Sequence, residues 1–375
     1  MPECPHRPPC PGCPRFGEPG IAPVARGALA ELAHRHALAS VPEVSGASAG
    51  FRHRARLAIR GRVGTPKVGL FEVGTHRVVH IPNCSVQHPL INRVAGVVRR
   101  ALVETRSTCY SDQAHEGIAR YLQVVVERRS QTAQVVLVGN CDTAAPLAPC
   151  LDLIVERLGA ELHSLWFNAN RSATNAILGP AFEHLCGPPA VVERFGGAEV
   201  HYPPGAFGQS NPAIAEAIIA DVRTLVPAGS TVAEFYAGVG AIGLSLIDGL
   251  ARLTLNEVGA ASLAGLELGL AALEPALRER ASVAPGTAAS ARRAAEGADV
   301  VIVDPPRKGL DAELALHLAE SPPWRLLYVS CDLGSLLADA TRLTAPGRLG
   351  LRSLKAFNLV PFTEHVETLA CFERR

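Results

Sequence analysis

The chain has 375 residues, of which 48% are hydrophobic and 19% are charged. This length and composition predict two or three folded domains and exclude a disordered protein. The sequence shows no secretion signal and no apolar stretch of the ~18 residues that span a membrane. We therefore expect a cytoplasmic protein without membrane contacts, and no obligate protein partner is evident.

Charge is distributed unevenly along the chain, although the net charge is only +1. The first 110 residues hold fifteen Arg or Lys and six Glu but no Asp, which gives +9, whereas the remainder holds 21 basic and 29 acidic residues, which gives −8. Chance scatter of arginines would also produce this, but Arg52, Arg54 and Arg56 alternate and so share one face of a predicted strand. We therefore expect a polyanion to bind around these three residues, with Arg60 and Arg62 nearby.

The first half of the chain predicts an α+β fold with an antiparallel sheet. Residues 1–20 are rich in Pro and Gly and predict neither helix nor strand. Apolar periodicity predicts helices at 26–39, 90–103 and 151–158, and strands at 54–59, 67–71, 77–81, 121–127, 134–138 and 161–168.

From about residue 207, strands alternate with helices, a pattern typical of a doubly wound, largely parallel sheet. Helices are predicted at 212–225, 241–250, 260–273, 312–319 and 334–343, and strands at 232–236, 252–258, 300–303 and 325–330. Two final strands, at about 350–356 and 365–372, are expected to form an antiparallel pair at the sheet edge. Residues 281–298 show no clear strand pattern.

A glycine-rich loop follows the first strand of the predicted parallel sheet. Gly238-Val-Gly240-Ala-Ile-Gly243 fits the G-x-G-x-x-G pattern, in which the backbone approaches a nucleotide closely. Glu257 ends the next strand, where a carboxylate is placed to bind ribose hydroxyls. The pattern serves NAD-dependent dehydrogenases and S-adenosylmethionine-dependent methyltransferases alike, and its glycines can serve packing alone.

Three chemically distinctive residues lie at predicted strand ends. Asp304 precedes two prolines, which restrict it to extended conformations suited to holding a planar base. Cys331 precedes a helix, whose N-terminus favours the thiolate form of a cysteine. Glu367 is expected to lie beside Cys331 as a candidate base. Taken singly, each also fits an ordinary role, as a turn Asp, a buried Cys and an edge-strand Glu.

A polar motif, Phe207-Gly-Gln209-Ser-Asn211, leads into the predicted helix at 212–225. The amide of Gln209 offers both a hydrogen-bond donor and an acceptor to a ligand. Asn211 is a suitable N-cap for the helix, and this structural role is sufficient to explain it.

Three of the ten cysteines, Cys4, Cys10 and Cys13, are crowded into the Pro/Gly-rich N-terminal loop. Thiolates in such a loop suit a metal site that needs a fourth ligand from elsewhere. Cys84 is the best candidate, because it follows a strand in the same half of the chain. The spacing fits zinc as well as an iron–sulfur cluster.

Together these motifs resemble the RNA 5-methyluridine methyltransferase family, S-adenosylmethionine-dependent enzymes that act on uridines of rRNA and tRNA. The matching segments are Phe207-Gly-Gln209-Ser-Asn211, Phe235-Tyr-Ala-Gly238-Val-Gly240, Asp304-Pro-Pro-Arg307-Lys-Gly-Leu, Tyr328-Val-Ser-Cys331 and His365-Val-Glu367-Thr. The N-terminal cysteines resemble the 4Fe–4S site of the family. The sequence departs from the family pattern at Ala237, Ala241 and Asp332-Leu333, and none of these departures removes a catalytic group.

The resemblance implies a role for each matched residue. Cys331 would be the nucleophile that adds to C6 of the uracil, and Glu367 would be the base that removes the C5 proton. Contacts to S-adenosylmethionine or the base are implied for Gln209, Tyr236, Gly238, Gly240, Glu257 and Asp304. Arg307 is expected to bind substrate, together with Arg52, Arg54 and Arg56 from the charge pattern. A 4Fe–4S cluster is implied on Cys4, Cys10, Cys13 and Cys84.

The implied fold is a Rossmann-like class I methyltransferase domain at 207–375, preceded by an α+β domain. Residues 1–90 would form the iron–sulfur loop and the start of a central RNA-binding β domain, and residues 91–206 the rest of that domain. We expect no N-terminal β-barrel RNA-binding domain. In this respect the chain is most similar to the branch of the family that methylates 23S rRNA. A tRNA is the alternative substrate.

Two alternatives come from other classes of protein. A NAD-dependent oxidoreductase would use the same glycine-rich loop but leaves the cysteine motifs unexplained. A non-catalytic iron–sulfur RNA-binding protein leaves both Cys331 and Glu367 unexplained.

Overall fold

The computed structural model describes residues 4–375. Its helices are α1 (Pro23–Arg35), α2 (Pro89–Glu104), α3 (Ala148–Leu158), α4 (Pro212–Leu225), α5 (Gly243–Leu246), α6 (Ala260–Ala271), α7 (Pro275–Arg278), α8 (Ala288–Ala291), α9 (Ala312–Glu320) and α10 (Leu333–Thr344). The strands of the first half are β1 (Glu43–Ser45), β2 (Arg54–Arg62), β3 (Thr65–Phe71), β4 (Val78–His80), β5 (Ala119–Val126), β6 (Ala133–Gly139), β7 (Leu162–Ala169), β8 (Ala181–Cys186), β9 (Val191–Phe195) and β10 (Ala198–Tyr202). The strands of the second half are β11 (Thr231–Phe235), β12 (Arg252–Glu257), β13 (Ala281–Pro285), β14 (Val300–Val303), β15 (Arg325–Ser330), β16 (Leu349–Asn358) and β17 (Glu367–Arg374).

Alternating apolar residues of the first half build a seven-stranded central sheet in the order β4-β3-β2-β5-β6-β7-β8. Leucines and valines of one sheet face pack against the apolar sides of α2 and α3. The expected antiparallel pairing is confirmed for every neighbouring pair except β6 and β7, which run parallel. The exception has a topological cause, because α3 carries the chain back to the end at which β6 began.

The second half forms a C-terminal sheet in the order β1-β16-β17-β15-β14-β11-β12-β13. Strands β11 to β15 are mutually parallel, and apolar residues of α4, α5 and α6 cover one face while those of α1, α9 and α10 cover the other. The predicted doubly wound sheet is therefore confirmed. Parallel strands in this arrangement bring their carboxyl ends to one edge, where α/β folds bind ligands.

The last two strands are antiparallel as expected, but they do not form the sheet edge. β17 lies between β15 and β16, and the three-residue strand β1 pairs with β16 on its outer side. Both α1 and β1 pack on the C-terminal sheet, so part of the segment assigned by sequence to a first domain at 1–90 belongs structurally to the second half. Glu367 thereby begins a strand in the interior of the sheet, next to the strand that ends before Cys331.

Several elements differ from their predictions. The expected helix at 241–250 is reduced to the single turn of α5 and a 3-10 turn at Ile247–Gly249. The Ala-rich edge strand β13 and the hairpin β9–β10 carried no clear sequence pattern, and the structure alone reveals them.

Within residues 4–375, no helix is both long and apolar enough to cross a lipid bilayer.

Candidate active site

A cavity of about 840 Å³ opens at the carboxyl ends of β11, β12, β14 and β15. Residues of the central sheet close its other side, so both halves of the chain contribute to the wall. The predicted site residues that line it are Arg52, Arg54, Arg56, Gln209, Tyr236, Gly238, Glu257, Asp304, Arg307, Cys331 and Glu367. Gly240, in the glycine-rich loop, does not line the cavity, and a Cβ added there would clash with the side chains of Leu244 and Leu266.

The glycine-rich loop is held by carboxylates on both sides. Gly238 and Gly240 have φ values of +58° and +81°, which favour glycine. One oxygen of Glu257 accepts a hydrogen bond from the Gly238 amide at 2.8 Å, and the other accepts from the amides of Val258 and Gly259. The oxygen that accepts from Gly238 has a second lone pair, so Glu257 keeps capacity to accept from a ribose hydroxyl.

Glu234 is a site residue that the motif analysis missed. It lies on β11, lines the cavity and is 1% exposed. Its carboxylate accepts from the Gly243 amide at 2.7 Å, and burial raises its pKa to about 8. The available sequence signal was a carboxylate within an otherwise apolar strand, which is costly unless it has a partner.

The loop after Asp304 is fixed by two side chains from other elements. The hydroxyl of Tyr236 accepts from the Asp311 amide at 2.9 Å. The carboxylate of Asp339, on α10, accepts from the Leu310 amide and from the Tyr328 hydroxyl, both at 2.8 Å. Tyr236 therefore orients this loop as well as lining the cavity, and Asp339 is a buried support with no motif in the sequence.

Cys331 and Glu367 meet at one end of neighbouring antiparallel strands. Ser330, at the end of β15, pairs with Thr368 of β17. Cys331 comes directly after Ser330 and Glu367 directly before Thr368, so both residues lie where the parallel strands have their carboxyl ends. Glu367 is 6% exposed, and its Oε2 atom has no hydrogen-bond partner among residues 4–375. Burial and the nearby Asp304 raise the pKa of Glu367 to about 8.

The cysteine is a thiol in this environment. Burial, followed by the charges of Glu367 and Asp304, raises the pKa of Cys331 to about 11, whereas Arg307 acts in the opposite direction. The raised pKa is opposite to the expectation that the helix N-terminus favours a thiolate, because burial and the two carboxylates outweigh it. Asp332 occupies the helix end. Its carboxylate caps α10 by accepting from the Ser335 amide at 2.8 Å, so a negative charge already balances the helix dipole.

The predicted arginine face divides into residues with different surroundings. Arg54 donates to the Ala206 carbonyl at 2.7 Å and stacks 5.1 Å from the Tyr202 ring centroid, and burial lowers its pKa to about 10. Arg56 is exposed and donates to the Gln123 side chain at 2.9 Å.

Arg60 does not belong to the arginine face. It is 6% exposed and makes a bidentate ion pair with Asp112 at 2.6 and 2.7 Å. Its charge is therefore used inside the central domain, and it is not available to bind a polyanion.

A second, smaller cavity of about 100 Å³ is lined by the four cysteines of the predicted metal site, Cys4, Cys10, Cys13 and Cys84. Arg52 and Arg56 line both cavities. Residues 4–375 contain no group of three or more His, Cys, Asp or Glu side chains spaced for one metal ion. Zinc needs Zn–S bonds of about 2.3 Å and hence sulfurs about 3.8 Å apart. Four thiols around one cavity are a donor set that suits zinc or an iron–sulfur cluster.

Comparison with known proteins agrees with this site. The tRNA (Uracil-5-)-methyltransferase family matches residues 295–375, which carry Asp304, Cys331 and Glu367. The chain is 34% identical to an uncharacterized RNA methyltransferase of Protochlamydia amoebophila, over 99% of this chain and 97% of that protein. It is 30% identical to an uncharacterized RNA methyltransferase of Geobacter sulfurreducens, over 87% of this chain and 66% of that protein.

The fold is shared with a solved structure. The crystal structure of Pyrococcus abyssi tRNA (uracil-54, C5)-methyltransferase in complex with S-adenosyl-L-homocysteine superposes with a TM-score of 0.76. The two chains are 22% identical, and the superposition covers 92% of this chain and 81% of the other. The predicted Rossmann-like methyltransferase fold is thereby confirmed. The near-full-length match to the Protochlamydia protein and the family match at the site establish that this chain belongs to the S-adenosylmethionine-dependent RNA uracil-5-methyltransferase family.

Proposed function

We propose that this protein methylates C5 of a uridine in RNA, with Cys331 as the nucleophile and Glu367 as the base. The observation that carries the proposal is the juxtaposition of Cys331 and Glu367 at the ends of paired strands. Both face a cavity whose wall also holds the glycine-rich loop and Glu257. The same cavity therefore offers a cofactor side and a side for an RNA base.

The reaction explains why these residue types are needed. C5 of uracil is a weak nucleophile. When the sulfur of Cys331 bonds to C6, the electron pair of the C5–C6 double bond moves towards O4, and C5 becomes enolate-like. S-adenosylmethionine supplies an electrophilic methyl group: C5 bonds to the methyl carbon, the methyl–sulfur bond breaks, and S-adenosylhomocysteine leaves with its electron pair. Glu367 then removes the C5 proton, the C5–C6 double bond re-forms, and the S–C6 bond breaks to release Cys331.

The surrounding charges support these steps. Cys331 must lose a proton before it can attack, and Arg307 is the cation whose charge favours its thiolate. Glu257 and the glycine-rich loop would hold the cofactor's ribose, and Gln209 and Asp304 would contact the cofactor or the base. The target uracil must leave the base stack of the RNA to reach Cys331, which lies inside the cavity.

Variants of the two residues separate their roles. Cys331→Ala should abolish both methylation and any covalent RNA–protein adduct. Glu367→Gln should allow attack and methyl transfer but not proton removal, so a methylated RNA stays bonded to Cys331 and is seen as a shifted band under denaturing conditions. Cys141→Ala and Glu267→Gln are matched controls outside the cavity wall and should turn over normally. Normal turnover by Glu367→Gln, or an adduct without Cys331, would contradict the assignment.

We propose 23S rRNA as the substrate, on the sequence resemblance to that branch of the family. A tRNA is the competing substrate, and the family match over residues 295–375 carries a tRNA description. Purified protein incubated with each RNA and labelled S-adenosylmethionine distinguishes them, with Cys331→Ala as the blank. Label in tRNA and none in 23S rRNA would overturn the choice.

We also propose that Cys4, Cys10, Cys13 and Cys84 hold one 4Fe–4S cluster. The resemblance of the N-terminal cysteines to the cluster site of the family, and the shared cavity that all four cysteines line, support the proposal. Protein purified without oxygen should be brown and contain about four irons per chain. Cys84→Ser should lose the iron, whereas Cys141→Ser should keep it. Stoichiometric zinc without iron would reject the cluster.

A further inference from the structure

The strand that carries Glu367 is reached through an eight-residue connection, the 359–366 segment, which joins β16 to β17. Phe362, at its centre, has a φ of +68°, a conformation that a bulky side chain rarely adopts. Within the segment, the Thr363 hydroxyl donates to the Val360 carbonyl at 2.7 Å and accepts from the His365 amide at 3.2 Å. These local bonds shape the turn but do not fix it to the rest of the protein.

Two residues from distant parts of the chain, Asn211 and Arg15, fix the 359–366 segment by hydrogen bonds. At its start, the Asn211 side chain donates to the Leu359 carbonyl at 3.1 Å while its oxygen caps α4. At its centre, Arg15 donates twice: its backbone amide to the Phe362 carbonyl at 3.0 Å, and Nη1 of its side chain to the Thr363 carbonyl at 3.3 Å.

Arg15 is built into this position. It is 7% exposed, and its Nε atom is paired with Glu18 at 2.9 Å, which fixes the guanidinium plane. The neighbouring Phe16 ring lies 5.0 Å from the Phe362 ring, and Phe362 belongs to an apolar cluster with Cys13. The N-terminal cysteine loop is therefore docked on the segment that precedes Glu367, although Arg15 itself does not line the active-site cavity.

We propose that Arg15 is a positioning residue, which acts through the 359–366 segment to hold Glu367 against the reacting base. This inference rests on the proposed role of Glu367. It assigns the N-terminal loop a part in the proton-removal step, in which the geometry between the carboxylate and C5 matters most. A displacement of about 1 Å at such a step can slow it by about 100-fold.

The test is the fate of the covalent adduct in Arg15→Ala. We expect release of methylated RNA from the adduct to slow by about 10- to 100-fold, so that the adduct accumulates, while the affinity for S-adenosylmethionine stays within about twofold of wild type. Arg15→Lys, which can still donate to Thr363, should recover part of the rate. Arg26→Ala removes an exposed arginine of the same N-terminal region and should behave as wild type.

Hydrogen exchange gives a second measurement that does not depend on the reaction. Arg15→Ala should exchange amides faster within residues 359–367 and at the wild-type rate in β11 and β12. Wild-type release of the adduct, unchanged exchange in the segment, or equal losses of cofactor affinity and release rate would each overturn the inference. If Glu367→Gln traps no adduct, the proposed function fails by itself, and the exchange result still decides the structural part for Arg15.

Discussion

The carboxyl group of Glu367 is buried beside Asp304, and this sets the pH at which the protein can remove a proton from its substrate. Because its pKa is raised to about 8, the group is mostly protonated at neutral pH and becomes a base only as the pH rises. The rate of C5 proton release should therefore rise more steeply with pH below 8 than above it. Above 8 Glu367 is ionised, and only the deprotonation of Cys331, whose pKa is raised to about 11, still contributes.

Release of tritium from RNA labelled at uridine C5, followed between pH 6 and 9, measures this dependence. Glu267→Gln, which changes an exposed carboxylate on α6 outside the cavity wall, should give the wild-type profile. A rate that stays constant down to pH 6 would show that the raised pKa of Glu367 does not control the step.

Glu234 predicts a pH effect on stability instead of rate. Its folded-state pKa of about 8 lies above the ordinary 4.5, so its favourable contribution is complete below about pH 4.5 and is lost as the pH rises through 8. Glu234→Gln keeps the oxygen that accepts from Gly243 and removes the ionisation. Between pH 6 and 9 the free energy of unfolding of Glu234→Gln should fall less than that of wild type. The two decreases should differ by on the order of a few kcal/mol.

Thermal or urea unfolding at both pH values tests the Glu234 prediction. Glu267→Gln, at an exposed position on α6, is the control and should follow wild type. The prediction is wrong if Glu234→Gln loses as much stability as wild type between the two pH values.

At the scale of elements, α10 supports the active site by holding the loop after β14. Asp339→Ala would leave the buried Leu310 amide and Tyr328 hydroxyl without their acceptor, and each such loss costs about 1–3 kcal/mol. We expect a loss of about 2–5 kcal/mol in the free energy of unfolding. We also expect weaker S-adenosylmethionine binding, because Tyr236 and Asp304 border the same loop.

Denaturant unfolding and cofactor titration measure the two effects of Asp339→Ala. The exposed Asp152 on α3 provides the matched control, since Asp152→Ala removes a helical carboxylate far from the site. Wild-type stability of Asp339→Ala would mean that the loop does not depend on this carboxylate.

At the scale of the whole molecule, the arginine face closes the cavity from the opposite domain, and RNA binding should depend on both halves. Arg56 is the exposed member of this face. If it contacts a phosphate, Arg56→Ala should lower the slope of log affinity against log salt by about one. It should also lower the melting temperature, because the buried Gln123 side chain loses its donor. Arg100→Ala, on the exposed side of α2, should change neither quantity.

Filter binding or fluorescence titration across a range of salt concentrations gives the slope. A wild-type slope for Arg56→Ala would place the RNA elsewhere. Arg60→Ala, by contrast, should reduce stability, because it leaves the half-buried Asp112 without its cation.

The sequence by itself determined the architecture of the second half and the identity of most site residues. Alternating strands and helices must bring their carboxyl ends to one edge, so the order of elements along the chain is enough to place Asp304, Cys331 and Glu257 there. The glycine-rich loop carries the same kind of local information, because its shape depends on residues close together in the chain.

Only the tertiary structure decided the features that depend on contacts between distant residues. The insertion of β17 between β15 and β16 and the pairing of Arg60 with Asp112 leave no periodic pattern. Burial raises the pKa of Cys331, where the local sequence predicts a thiolate. Local spacing specifies which groups are present, but long-range packing sets their solvation and their partners, and these determine charge and reactivity.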